Sequence, residues 1–278
     1  MLLLIPTNVK HRVDVDYFIE GENLIPINEF PLEIASKSGL IYEVIRINKA
    51  KPLFLKEHLN RLLHSVEILS FPKFDLEIIK GLVYKLIDAN KINIGNIKLV
   101  ISSIDDSSVR PYLYFIPHRY PSDMQIKEGV KTLLQYDERK MPQVKIADWN
   151  IRGRANNLID SEGVYETLLV NSNDEITEGS RSNVFFISNN DLITAADKDV
   201  LSGITREKVL ELAIKLNINI IYKSLPVNGL TSIDAAFITG TSPGVLQVKR
   251  IGDIKIKVNN PIYVKINNAF NKLQNELI

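Results

Sequence analysis

The chain has 278 residues, no cysteine, 34 basic and 33 acidic side chains, and a formal charge of +1 at pH 7. Disulfides, thiolate metal sites and cysteine nucleophiles are excluded, and no global field draws the chain to nucleic acid or an anionic membrane, so any anion binding has to be local. A hydrophobic fraction of 45% over this length is enough for one large or two moderate cores.

The chain opens on Met1-Leu2-Leu3-Leu4-Ile5-Pro6, an apolar stretch without a basic leader and too short for a secretory signal, and no later run approaches a membrane span. A cytoplasmic protein without membrane contact is expected. Tyr42-Glu43-Val44-Ile45-Arg46-Ile47 alternates and is rich in branched and aromatic residues, which predicts a strand, with Lys49-Ala50-Lys51 as the turn behind it. From Lys56 to Leu69 the apolar residues Leu59, Leu62, Leu63, Val66 and Leu69 recur at the period of a helix, and Leu76 to Ala89 repeats the pattern. Ile97 to Ser102 and Tyr112 to Ile116 predict neighbouring strands across the polar turn Asp105-Asp106-Ser107-Ser108.

Pro117-His118-Arg119-Tyr120-Pro121-Ser122 then sets two prolines in a polar stretch that continues neither a helix nor an inner strand. A boundary is expected there, giving a small α+β domain over residues 1–118 and a larger one over 119–278. Tyr165 to Val170, the turn Asn171-Ser172-Asn173-Asp174, Ser182 to Ile187 and the turn Ser188-Asn189-Asn190-Asp191 predict an antiparallel meander. A helix from about Ile204 to Leu216 and strands over Ile218 to Tyr222 and Ala235 to Thr239 complete the pattern.

Few residues declare chemistry singly. His11, His58, His64 and His118 are dispersed and none stands with a carboxylate at ligand spacing, so no metal centre is expected. Lys145, between Val144 and Ile146, could be partly desolvated, which would lower its pKa and make its amine nucleophilic; by itself it reads as a surface lysine. Thr177-Glu178-Gly179-Ser180 would suit any polar turn at a strand end. Arg61 is a helix charge, Leu201-Ser202-Gly203-Ile204-Thr205-Arg206 a helix start with open backbone amides, and Thr239-Gly240-Thr241-Ser242-Pro243-Gly244 a Gly and Pro turn.

Joint occurrence changes the reading. Val144-Lys145-Ile146-Ala147-Asp148 and Ile176-Thr177-Glu178-Gly179-Ser180-Arg181-Ser182-Asn183-Val184-Phe185, separated by 178 − 145 = 33 positions, resemble the cofactor core of class IV pyridoxal-phosphate transaminases. The resemblance covers nearly the whole chain after about residue 39, with its motifs in the family's order. It implies an α+β, two-domain fold type IV protein with pyridoxal 5'-phosphate between the domains, homodimeric, acting on an amino acid and a 2-oxo acid. By the same resemblance Lys145 is the Schiff-base lysine and Glu178 holds the pyridine nitrogen protonated. Arg61, in Glu57-His58-Leu59-Asn60-Arg61-Leu62, reaches the phosphate, joined by the amides of Ile204 and Thr205 and by Thr241 and Ser242.

Substrate recognition departs from the family pattern. Lys37-Ser38-Gly39-Leu40-Ile41 stands where a Gly-Asp-Gly type turn is usual, and Lys145-Ile146-Ala147-Asp148-Trp149-Asn150 differs from the branched-chain Lys-Ala-Gly-Gly-Asn-Tyr. Tyr42 matches the carboxylate-binding tyrosine of D-amino-acid transaminases, but Ser102-Ser103-Ile104-Asp105 lacks their Arg and His, leaving Arg181 and then Lys37 as the candidate cations. Transamination, of a D-amino-acid type among others, is expected. Two alternatives are an aminodeoxychorismate lyase, forming 4-aminobenzoate and pyruvate, and a cofactor-binding protein with a degraded substrate pocket.

Overall fold

The computed structural model describes residues 14–104 and 108–278; the start at Met1–Pro6, His11, and Asp105 to Ser107 of the expected turn lie outside the described residues. The described residues form two compact units. One takes the chain through His118 together with Val144–Trp149 and Leu277–Ile278, the other Arg119–Gln143 and Asn150–Glu276.

In the first unit the order is Tyr17–Glu20 (β1), Asn23–Pro26 (β2), Leu32–Ser36 (α1), Ile41–Asn48 (β3), Lys51–Pro52 (β4), Leu55–Ile68 (α2), Leu76–Asn90 (α3), Ile94–Ser103 (β5) and Val109–Ile116 (β6). The strands make one antiparallel six-stranded sheet ordered β2-β1-β6-β5-β3-β4. Alternation decides its two faces. Ile41, Ile45, Ile47, Ile97, Leu99 and Ile101 pack with Leu59, Leu62 and Val66 of α2 and Val83 and Leu86 of α3. Phe18, Tyr42, Val100, Tyr112 and Tyr114 face the other way, with Phe30, Ile34, Ala35 and Leu40. Each fully buried Leu or Ile contributes about 1.5–3 kcal/mol, so the predicted helical stripe and strand alternation dictate this packing together. Lys49 and Ala50 form the two-residue β3–β4 turn, both in the left-handed region at φ 48° and 58°.

The 144–149 stretch joins this unit by strand-like bonds, although it was expected to run with the second domain. Ile146 bridges Ile41 antiparallel. The Tyr42 amide donates to the Lys145 carbonyl (3.1 Å), the Ala147 amide to Leu40 (3.0 Å) and the Gly39 amide to Ala147 (3.0 Å). Backbone groups in a partly buried stretch need such partners, and the start of β3 supplies them.

The second unit contains Asp123–Glu128 (α4), Val130–Tyr136 (β7), Trp149–Glu162 (α5, whose first residue groups with the first unit), Glu166–Val170 (β8), Glu175–Gly179 (β9), Asn183–Ser188 (β10) and Asp191–Thr194 (β11). Ile204–Lys215 (α6), Ile220–Tyr222 (β12), Leu225–Pro226 (β13), Ala235–Gly240 (β14), Gly244–Ile251 (β15), Ile254–Lys255 (β16) and Pro261–Glu276 (α7) follow. Its strands run β12-β11-β10-β14-β15-β7-β8-β9-β13. A further pairing of β10 with β9, at Asn183 opposite Glu178, closes β10, β14, β15, β7, β8 and β9 into a ring. Apolar residues from these strands, including Val130, Leu168, Ile176, Val184, Ile238 and Leu246, form one core cluster. Ser122 begins this unit's first helix with a reciprocal cap, its amide on Gln125 Oε1 (3.0 Å) and its hydroxyl taking the Gln125 amide (3.3 Å). The antiparallel meander expected over 165–191 is β8 to β11; α5 and α7 had no counterpart in the sequence reading.

Candidate active site

In the first unit, Lys145 sits at the start of β3. Its amide donates to Ser65 Oγ of α2 (3.4 Å), and its Nζ lies 4.8 Å from the Tyr42 ring centroid. Lys98 Nζ approaches the same ring at 5.1 Å, and the Tyr114 and Trp149 rings at 5.9 and 5.7 Å. Two expected site residues, Lys145 and Tyr42, are thus neighbours. Lys37 ends α1 with its amide on the Glu33 carbonyl and an exposed side chain.

Arg61 has a partner that the sequence reading missed. Glu43 shares its strand face with Ile41 and Ile45, so β3 carries a carboxylate into the layer beneath α2, where it is fully buried. Arg61 Nε donates to Glu43 Oε1 (2.8 Å) and its Nη2 to Oε2 (2.7 Å). His58 Nδ1 lies 2.8 Å from Oε2. Burial pushes the Glu43 carboxyl up, but the Arg61 guanidinium and the His58 ring together outweigh it and bring the group down to about 2. Glu43 is therefore ionised and can only accept, which makes His58 Nδ1 the donor. Burial holds His58 below its usual range; Glu43 opposes this, and the Arg61 and Lys145 charges add to it. The His58 imidazole, which feels the Lys145 charge, thus shares one buried carboxylate with Arg61.

In the second unit, Glu178 is the last residue but one of β9 and is 3% exposed. Arg139 Nε donates to its Oε1 (2.8 Å), the Leu201 amide to its Oε2 (3.3 Å), and Arg139 Nη2 to the Ser180 carbonyl (2.6 Å). The turn between β9 and β10 hangs on another buried carboxylate, Glu166 of β8. Its Oε1 accepts from the Thr167 amide and Ser180 hydroxyl, its Oε2 from the Arg181 amide and Ser182 hydroxyl. An added Cβ at Gly179 would overlap Ser182 Oγ, so this turn requires glycine there. Arg181 is exposed and its guanidinium donates to Asn156 of α5.

The start of α6 lies beside Glu178. Asn183, opposite Glu178, donates to the Leu201 carbonyl (2.8 Å), and an added Cβ at Gly203 would overlap the Asn183 side-chain oxygen. Gly203 caps α6 without a side-chain bond, so the helix opens at Ile204 and Thr205 with first-turn amides that no cap side chain takes. Asn183 is also opposite Thr239 of β14, whose buried hydroxyl has no hydrogen-bond partner, and the turn with Thr241 and Ser242 follows. Gly240 comes near the Arg181 carbonyl. Glu178, Ile204, Thr205, Thr241 and Ser242 are thereby gathered at one end of the strands of this unit.

Residues 40–251 match the family model for amino-transferase class IV. The chain belongs to the class IV aminotransferase family. It is an enzyme of the transferase type with the fold type IV architecture, and class IV aminotransferases depend on pyridoxal 5'-phosphate. Among similar class IV proteins, the D-alanine aminotransferase of Listeria innocua is 26% identical over 250 residues, covering 83% of this chain and 85% of that one. The probable branched-chain-amino-acid aminotransferase of Thermotoga maritima is 28% identical over 231 residues, 81% and 82%. The structure of the branched-chain aminotransferase of Thermoproteus uzoniensis superposes with a TM-score of 0.82 at 22% identity, covering 94% and 95%.

The class IV cofactor fits the groups present. A buried carboxylate suits a protonated ring nitrogen, open helix amides and hydroxyls suit a phosphate, and a lysine amine suits an aldehyde. Glu43, Lys98, Arg139 and Glu166 were not singled out from sequence. Glu43 and His58 left a readable signal, since each occupies an apolar phase of its element; Arg139 left none.

Proposed function

We propose that this chain transfers an amino group between an amino acid and a 2-oxo acid, with a D-amino acid among the candidate donors, as a cytoplasmic homodimer. The observation that carries the reading is Glu178: a carboxylate fixed at a buried strand end, with the uncapped start of α6 beside it. Bound pyridoxal phosphate supplies an aldehyde that takes up nitrogen and a ring that accepts the electrons released at the substrate's Cα.

The chain's residues do the rest. Lys145 would hold the cofactor through its Nζ, and the same amine is placed to move the proton that leaves the substrate's Cα. Glu178 holds a proton at the ring nitrogen. Arg61, the Ile204 and Thr205 amides, Thr241 and Ser242 bind the phosphate, with Arg61 kept rigid by Glu43. Tyr42 and Arg181 receive the substrate carboxylate, with Lys37 as a further cation; Arg181 would first release Asn156.

The test is a panel of D- and L-amino acids against the purified holoprotein, followed by absorbance, with product analysis of the responders. A spectral change that depends on a 2-oxo acid for its reversal, with ping-pong kinetics, is the expected result. Pyruvate and aminobenzoate from an aromatic precursor would instead mark a lyase, and a yellow protein unresponsive to every amino acid a binding scaffold. Borohydride treatment and peptide mapping should label Lys145; an unlabelled peptide there ends the reading.

A further inference from the structure

Glu178 is buried, and burial alone makes a carboxyl group a stronger base by penalising its charged form. A pyridine nitrogen facing such a group would lose its proton to the carboxylate, leaving a neutral pair and a poorer acceptor of electrons. Two other arginines of this unit have partners of their own: Arg206 donates to Asp197 and the Ala195 carbonyl, and Arg181 donates to Asn156. The neighbouring carboxylate Glu166 is surrounded by donors from Thr167, Ser180, Arg181 and Ser182. Arg139 is different. Its Nε meets Glu178 Oε1 at 2.8 Å while its Nη2 grips the Ser180 carbonyl at 2.6 Å, so one planar guanidinium spans the carboxylate and the turn behind it. The Arg139 side chain is 18% exposed, which leaves the pair little screening.

We propose that Arg139 is a positioning residue that keeps Glu178 ionised and too weak a base to take the proton from the cofactor's ring nitrogen. An apparent paradox follows, in that a cation placed behind the carboxylate protects the positive charge in front of it. The fork also fixes which way the carboxylate faces, because rotating Glu178 would break the bond at Oε1 while Ser180 holds Arg139 in place. This inference rests on the assignment of Glu178 to the ring nitrogen.

The experiment is nitrogen NMR of the holoprotein loaded with ring-nitrogen-labelled pyridoxal phosphate, for the unaltered chain and for Arg139→Gln, Arg139→Lys and Glu178→Gln. The unaltered protein should give a signal in the pyridinium range, and Arg139→Gln one displaced toward neutral pyridine, with a slower half-reaction. Arg139→Lys retains the charge and should stay in the pyridinium range, which a role limited to stapling the turn would not predict. An Arg139→Gln signal that matches the unaltered protein, beside a displaced Glu178→Gln signal, overturns the proposal alone. Unchanged signals in both overturn the assignment of Glu178 and the proposal with it. Should Arg139→Gln not fold, loss of the pyridinium signal in Arg139→Lys overturns the role of charge.

Discussion

Glu43 and His58 give the protein an acid sensitivity whose direction can be worked out residue by residue. Glu43 is brought from an ordinary value of 4.5 to about 2, so the stability it contributes is present above 4.5 and is lost as pH falls toward 2. His58 lies below its ordinary 6.5, so the folded state resists a proton that the unfolded chain takes up, and stability declines as pH drops below 6.5. Urea unfolding from pH 8 to pH 3 should show both declines, and His58→Asn should remove the upper one; a profile unchanged by the substitution would refute the assignment. Glu43→Gln should cost about 3–5 kcal/mol at pH 7, as expected when one partner of a buried ion pair is removed. At this scale the sequence was only partly legible. Lys145 and Glu178 were singled out by the resemblance of their flanking residues, whereas Glu43 was passed over although its strand parity matches Ile41 and Ile45. Arg139 lies in a stretch without periodicity, and only the folded chain brings it to Glu178.

Among the elements, those that were legible have strong periods. Observed α2 and α3 lie within one residue of the stretches read from Leu59, Leu62 and Val66 and from Leu76 to Ala89. In α5 the buried residues Ile151, Ala155 and Ile159 do recur every four positions, but Asn150, Gly153, Asn156 and Asn157 between them are weak helix formers and mask the stripe. β8 was readable as a strand, yet its Glu166 is buried because four donors meet it, a tertiary fact that no local pattern encodes. The β3–β4 turn offers a test at this scale. Ala50 holds φ 58° without the freedom of glycine, so Ala50→Gly should raise stability by about 1 kcal/mol or less, the steric relief being partly offset by the freer unfolded chain. Thermal unfolding would show it, and a fall in melting temperature would contradict it.

For the molecule as a whole, the ring closed at Asn183 and Glu178 removes free edges from its inner strands, whereas β12 pairs through β11 alone. Amide exchange should accordingly be slowest in β14, β15, β7 and β8 and faster at Ile220–Tyr222; equal protection across the sheet would argue against closure. The contact units divide after His118, within the Pro117 to Ser122 stretch, but the return of Val144–Trp149 to the first unit had no local signal, since it depends on pairing with residues a hundred positions earlier. That return limits how the protein could be dissected. A fragment ending at His118 would lack the stretch that receives the Tyr42 amide, and its complement would carry Lys145 without the β3 backbone it bonds to. Neither half could be prepared as a self-sufficient module; a split-protein reporter built on this scaffold needs its cut elsewhere, in a connection that both products can spare.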